Sequence, residues 1–298
     1  MVAVLLAVAF GCIGSGCGAN STQNSDVTLT VASRNTAEEV ILAQIYAQAL
    51  ETVGYRVKRD LRLPSGLPPL EQKGHQISGY PEHLNIALKD ILKIKQDVPG
   101  DPMKAYKLAK EGLEEEGVTA FPPASFARSK AVGMLRKTAE ERGLETLSDL
   151  RGQAEKMTFN AGSFCRFFTD CLVGLERFYG IFFELFSAIE PTLRYKVLET
   201  GEADASMLSS TEGRLAGKES KFVILEDDKH LMPAGNALWV TTTNVVDEAG
   251  PDYEKAIVDA QKGLTLKVMQ ELDAKVKLEG RPPAKVAAEY LKSIHYSG

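Results

Sequence analysis

The stretch from Val27 to Leu61 constrains this chain most. Residues 27–33 (VTLTVAS) are rich in β-branched side chains and read as a buried strand. Thr36 and Glu39 stand at capping-box spacing, and Val40, Ile41, Ile45, Ala49 and Val53 follow as a helical apolar run. Gly54 stands where a helix ends on a left-handed residue, and residues 55–61 (YRVKRDL) alternate like a second strand. Strand, helix and strand in that order open a parallel α/β sheet. The alternation predicts further helices over 84–94, 101–116, 192–200, 251–263, 265–279 and 283–293, with another starting at Thr138. It predicts strands over 131–136, 157–160, 203–207, 221–225 and 237–241. Proline and glycine interrupt it twice, at Pro122-Pro123-Ala124 and at Pro233-Ala234-Gly235. A chain that leaves one lobe, builds another and returns makes two such crossings. The expected division is a first lobe of 26–124 plus 232–298 and an inserted lobe of 125–231. A cleft between lobes suits a small ligand, and hinge closure is the matching motion.

A length of 298 residues accommodates two lobes. With 44% hydrophobic and 25% charged residues the composition is that of a soluble globular protein. The net charge of −5 is spread without a basic run, which sets nucleic-acid binding aside. The beginning differs. Met1–Ile13 is uncharged and mostly apolar, too short to span a bilayer and suited to the apolar region of an export signal. Gly14-Ser15-Gly16 then precede Cys17, the arrangement of a lipoprotein signal. Residues 1–17 are therefore expected to be signal and lipid-anchor cysteine, and 18–26 a polar tether; Cys12, after Gly11, is a second candidate. The remaining cysteines, Cys165 and Cys171, have two readings: a disulfide formed in an oxidising compartment, or two buried thiols.

Catalytic chemistry finds little footing. Of the four histidines, His75, His83, His230 and His295, no two have the spacing of a helical zinc site. There is no CxxC pair, no nucleophile elbow and no phosphate-cradling loop. Asp227-Asp228 beside His230 reads as an exposed turn after a strand rather than a metal site. Neither metal nor cofactor is expected, and the chain is read as a non-enzyme.

Several strings, in order, resemble the substrate-binding proteins of glycine betaine, choline and carnitine importers. They are Ser33-Arg34-Asn35-Thr36-Ala37-Glu38, Tyr80-Pro81-Glu82-His83-Leu84-Asn85-Ile86, the Leu193, Arg194, Tyr195 and Leu198 set, Ser210-Thr211-Glu212-Gly213-Arg214, and Leu225–His230. The resemblance implies an α/β, two-lobed periplasmic-binding-protein-like (type II) fold with the ligand cleft between lobes. It also implies a monomer outside the cytoplasm, lipid-tethered to the membrane, that passes a small-molecule solute to an ABC permease. In that family aromatic rings cage a quaternary ammonium by cation–π attraction. At the four positions where the resemblance implies cage tyrosines, this chain has His83, Lys130, Ser209 and Gly235. The solute is thus expected to be betaine-like or of altered specificity. Ser33, Asn35, Tyr80, His83, Lys130, Phe164, Ser209, Thr211, Gly235 and Asn236 are the expected ligand-binding residues. Phe126 and Trp239 are further rings, and Lys130, Arg128 and Arg166 raise the idea of an anionic or zwitterionic ligand. A sensing or scaffold lipoprotein of the same fold is the alternative function. An enzyme such as a tetrapyrrole synthase lacks supporting residues around its cysteines.

Overall fold

The structure, a computed structural model, describes residue 24 and residues 26–64, 70 and 76–298. Cys12, Cys17, His75 and most of the tether lie outside the described residues.

Two five-stranded sheets organise the chain. The first contains β1 (Thr28–Arg34), β2 (Arg56–Leu63), β3 (Gly79–His83), β4 (Val118–Ala120) and a late strand, Ala237–Thr242. The second contains β5 (Lys130–Leu135), β6 (Thr158–Ala161), β7 (Leu185–Ala188), β8 (Ala205–Ser209) and β9 (Phe222–Ile224), which makes the late strand β10. The orders are β2-β1-β3-β10-β4 and β7-β6-β8-β5-β9. β1 runs parallel to β2 and β3, whereas β10 is antiparallel to β3 and β4. The second sheet repeats the scheme, with β6 parallel to β7 and β8 and β5 antiparallel to β8 and β9. In each sheet the antiparallel strand is the one that follows a passage of the chain from the other sheet.

The capping signal at Thr36 starts helix α1 (Ala37–Thr52), where the threonine hydroxyl accepts from Glu39 N at 3.2 Å. The other half of the capping box is not made, because the Glu39 carboxylate turns to Arg34 and Arg128 instead. Helix α1 is buried on most of its circumference, as expected of a helix covered on several sides. Its neighbours include Pro251–Gln261 and Pro283–Ser293, which cross it at the C-terminal end of the chain.

β10 shows why the first sheet holds together. Ala237 and Trp239 point into the layer containing α1, and Leu238 and Val240 point into the layer containing Leu84, Ala105 and Leu113. Both faces are covered, so the strand is apolar throughout rather than alternating. The Trp239 indole donates to Tyr253 Oη at 2.8 Å and meets Tyr46 edge-on. A Cβ at Gly79 would lie 2.4 Å from that indole, so glycine is required for β3 to pass it. In the second sheet Val132, Met134, Phe159 and Met207 face one core, and Leu208 and Phe222 face another.

The helix expected over 84–94 is instead one α turn, Leu84–Ile86, followed by a wider π turn, Ala87–Ile91. β3, β4 and β7 were not expected as strands. Pro81 hides β3, and β4 and β7 are three and four residues long, too short to show an alternation.

The two Pro/Gly passages run side by side. Ala127 bridges Asn236, Arg128 N donates to Gly235 O at 2.9 Å, and Ala124 N donates to Ala237 O at 2.7 Å. A third connection comes from the helix Leu266–Lys277. Its Gln270 donates to Ser210 O at 2.7 Å, and its Asp273 accepts from Gly213 N at 2.8 Å.

Candidate functional site

Where the two sheets face each other, the C-terminal ends of β1 and β3 present Arg34, Glu82 and His83, and the first turn of α1 presents Glu38 and Glu39. Arg34 forks onto Glu82 at 3.1 and 2.6 Å and lies 3.6 Å from Glu39. His83 Nε2 stands 2.7 Å from Glu38 Oε1, and Thr211, from the segment after β8, donates its hydroxyl to Glu38 Oε2 at 2.5 Å. Arg128 approaches Glu39 at 3.7 Å and Glu38 at 4.0 Å. Burial pushes the Glu38 carboxyl up, but the His83 hydrogen bond, the charges of His83 and Arg128 and the Thr211 hydroxyl together hold it below the usual carboxylate range. Glu39 goes the other way: burial outweighs its cationic neighbours and raises it. Burial opposes the charged form of Arg34, yet its bonds to Glu82 raise its pKa further.

Arg128 links this buried network to a cavity of about 320 Å³ whose wall also includes Asn85, Lys130, Asp170, Arg194 and Ser209. Lys130 and Ser209 are register partners on β5 and β8, so their side chains stand together. Lys130 Nζ bonds Asp170 at 2.6 Å and sits 5.1 Å from the Phe168 ring centroid. Arg194 is spent on structure, donating to the carbonyls of Pro191 and Met207 and to Glu212. A second cavity, about 630 Å³, shares Asn85, Asp170 and Pro233 with the first and adds Ile86, Phe168, Phe178 and Leu231. The Asn85 side-chain oxygen is buried without a hydrogen-bond partner among the described residues.

The structure brings Lys130 and Ser209 of the sequence-derived site into the cavity wall and sets the others apart. Ser33, Tyr80, His83, Thr211 and Asn236 are buried and line neither cavity. Gly235 packs on the Arg128 backbone, where a Cβ would lie 2.0 Å from the carbonyl oxygen. Asn35 caps neither cavity wall, and Phe164 is 70% exposed on the outside of the second sheet. Asn85, Asp170 and Arg194 were not singled out. Asn85 and Arg194 lie within the strings quoted above, and Asp170 is placed by its neighbour Cys171, which is joined to Cys165 in a disulfide with Cα atoms 5.2 Å apart. Asp227 and Asp228 do form a turn after β9, but Asp227 organises it, accepting from Leu231 N, Met232 N and the Tyr179 hydroxyl. Among the described residues no group of three or more His, Cys, Asp or Glu side chains could hold a metal ion, and no helix is long and apolar enough to cross a membrane.

Two α/β sheets with a cavity between them are an arrangement suited to enclosing a small solute. The chain belongs to the family of substrate-binding domains of ABC-type glycine betaine transport systems (OpuAC), whose sequence profile matches residues 27–293. It is 29% identical to the glycine-betaine-binding protein of Pseudomonas aeruginosa over 90% of this chain and 88% of that one. It is 25% identical to the glycine betaine-binding protein YehZ of Escherichia coli over 88% of this chain and 89% of that one. Its fold superposes on a glycine betaine/carnitine/choline ABC transporter structure with a TM-score of 0.81 at 24% identity, covering 91% of this chain and all (100%) of that one. Apo YehZ gives 0.77 at 21% identity, covering 90% and 99%. Members of this family act outside the cytoplasm and engage both a small solute and a membrane permease.

Proposed function

We propose that this chain captures a small polar solute between two lobes, 26–124 plus 232–298 and 125–231, and hands it to an ABC permease while tethered through lipid on Cys17. It does so as a monomer and performs no chemistry on the solute. The observation that carries this reading is the cavity of about 320 Å³ walled from both sheets, with Asn85 following β3 and Lys130 and Ser209 on β5 and β8. Glycine betaine, as bound by the Pseudomonas aeruginosa relative, is one solute within this reading.

The test is a thermal-shift screen of the protein from residue 18 onward. Solutes include glycine betaine, choline, carnitine, ergothioneine, amino acids and small organic anions. A true ligand at 100 times its dissociation constant adds about 2.7 kcal/mol and raises the melting temperature in proportion to the logarithm of its concentration. A screen in which no solute shifts the melt contradicts the reading.

A further inference from the structure

We infer that the solute of this cleft is a small organic anion, with its acidic group against Arg128 and Lys130 and its apolar part beside Phe168 and Phe178. This rests on the solute-binding reading above and narrows it to a ligand class.

Charge is the first argument. Arg128, Lys130 and Arg194 line the smaller cavity, and Asp170 is the acidic side chain in its wall. Asp170 is engaged by Lys130 at 2.6 Å, which uses one of three ammonium donors and leaves two. The Arg128 guanidinium makes no side-chain hydrogen bond to the described residues; its contacts with Glu38 and Glu39 are long, at 4.0 and 3.7 Å. Glu38 meanwhile gives its oxygens to His83 and Thr211. A planar fork of donors open on a cavity matches a carboxylate or sulfonate.

The second argument is that the smaller cavity offers nothing to hold a methylated ammonium. A quaternary ammonium has no N–H to donate and depends on aromatic faces. Among the described residues no aromatic side chain lines the smaller cavity. Of the rings on the larger one, Phe168 already has the Lys130 ammonium 5.1 Å from its centroid. A ligand cation placed there would meet a like charge.

The third is shape. The larger cavity adjoins through Asn85 and Asp170 and offers Ile86, Phe178 and Leu231. Its charged lining is balanced, with Lys89 and Lys229 against Asp97 and Asp170, so it has no sign preference of its own. An anion with an aromatic or branched apolar body can reach from the smaller cavity into the larger one.

Isothermal titration of the protein with phenylacetate, benzenesulfonate, benzyl alcohol, glycine betaine and choline tests the inference. The expected result is saturable binding of phenylacetate or benzenesulfonate and none of benzyl alcohol or choline. Arg128→Gln and Lys130→Gln should each weaken the anion at least about tenfold, and Arg128→Lys should recover part of the loss. Lys130 is a partly exposed side chain, so Lys130→Gln reads the same effect should Arg128→Gln fold poorly. Binding of choline or betaine with silent anions overturns the inference and leaves the solute-binding reading intact. Anion binding indifferent to both substitutions overturns it too. A neutral or cationic solute found in the wider screen while both anions stay silent has the same meaning, and silence of every solute overturns both readings.

Discussion

Glu38 and Glu39 are adjacent, buried and opposite in electrostatic sense. Glu38 has a folded pKa below its unfolded value, so the stability it contributes is present above about pH 4.3 and is lost as pH falls through the folded value. Glu39 has a raised pKa; its contribution is present at low pH and is lost as pH rises through the folded value. Glu38→Gln is therefore expected to destabilise by about 1–3 kcal/mol, leaving His83, Thr211 and Arg128 with a poorer acceptor, and to flatten the acid limb of the stability profile. Glu39→Gln is expected to leave stability unchanged or raise it near neutral pH. Urea melts from about pH 3 to about pH 7 distinguish the pair; equal losses would contradict the assignment. Gly235→Ala sets a Cβ against a backbone carbonyl and should cost about 1–3 kcal/mol in the same melts. At this scale the sequence was partly legible. Thr36 and Glu39 announced the helix start, but only the sheet ends bring Arg34 and Arg128 close enough to pull Glu39 out of its cap. Lys130 and Ser209 were singled out in the sequence and line the smaller cavity, whereas Asn85 and Asp170, which line it too, carry no local signal.

Among elements, the segment from Ser163 to Tyr179 depends most on a covalent tie. It consists of short turns, Ser163–Phe167, Leu172–Gly174 and Leu175–Tyr179, between β6 and β7. Phe164, Phe167, Phe168 and Phe178 in it are all at least half exposed, and Phe168 and Phe178 line the larger cavity. The segment packs inward through Cys165, Cys171, Leu172, Leu175 and Tyr179, and the Cys165–Cys171 disulfide ties its first turns together. Replacing both cysteines by serine should lower stability by about 2 kcal/mol for a loop of this length. It should also weaken whatever solute the cleft binds, since Asp170 lies inside that loop and bonds Lys130. Calorimetry with and without reductant checks the first, and titration with the identified solute the second. Long periodic elements were readable in advance; the helix over 283–293 lies where its apolar spacing put it. The short strands β4 and β7 were not, because their pairing is decided by neighbours distant in sequence, although β6 and β9, equally short, were expected. β3, with Pro81 opposite Trp239, reads as a turn until β1 and β10 flank it.

For the whole molecule, the two Pro/Gly passages were read as crossings between lobes, and in the structure they hydrogen-bond to each other. What the sequence withheld is the third tie, from Gln270 and Asp273 to residues 210–213, which rests on side chains indistinguishable from ordinary helix surface. Closure must keep or break that tie. Saturation with the identified solute is expected to shrink the radius of gyration measured by X-ray scattering, and Gln270→Ala to shift the open–closed balance without altering the fold. A profile unchanged by solute would argue against closure. The strand order also dictates a sequence of events during synthesis and export. β10 lies between β3 and β4 but follows them by more than a hundred residues, with the whole second sheet encoded in between. A chain emerging from its N-terminus therefore has β3 and β4 waiting, their edges unpaired, until the second sheet has passed. Folding is slow when distant segments must meet, and waiting edges invite mispairing. The second sheet, encoded without interruption, is the unit able to form first, and the first sheet is sealed last by the strand that carries Trp239.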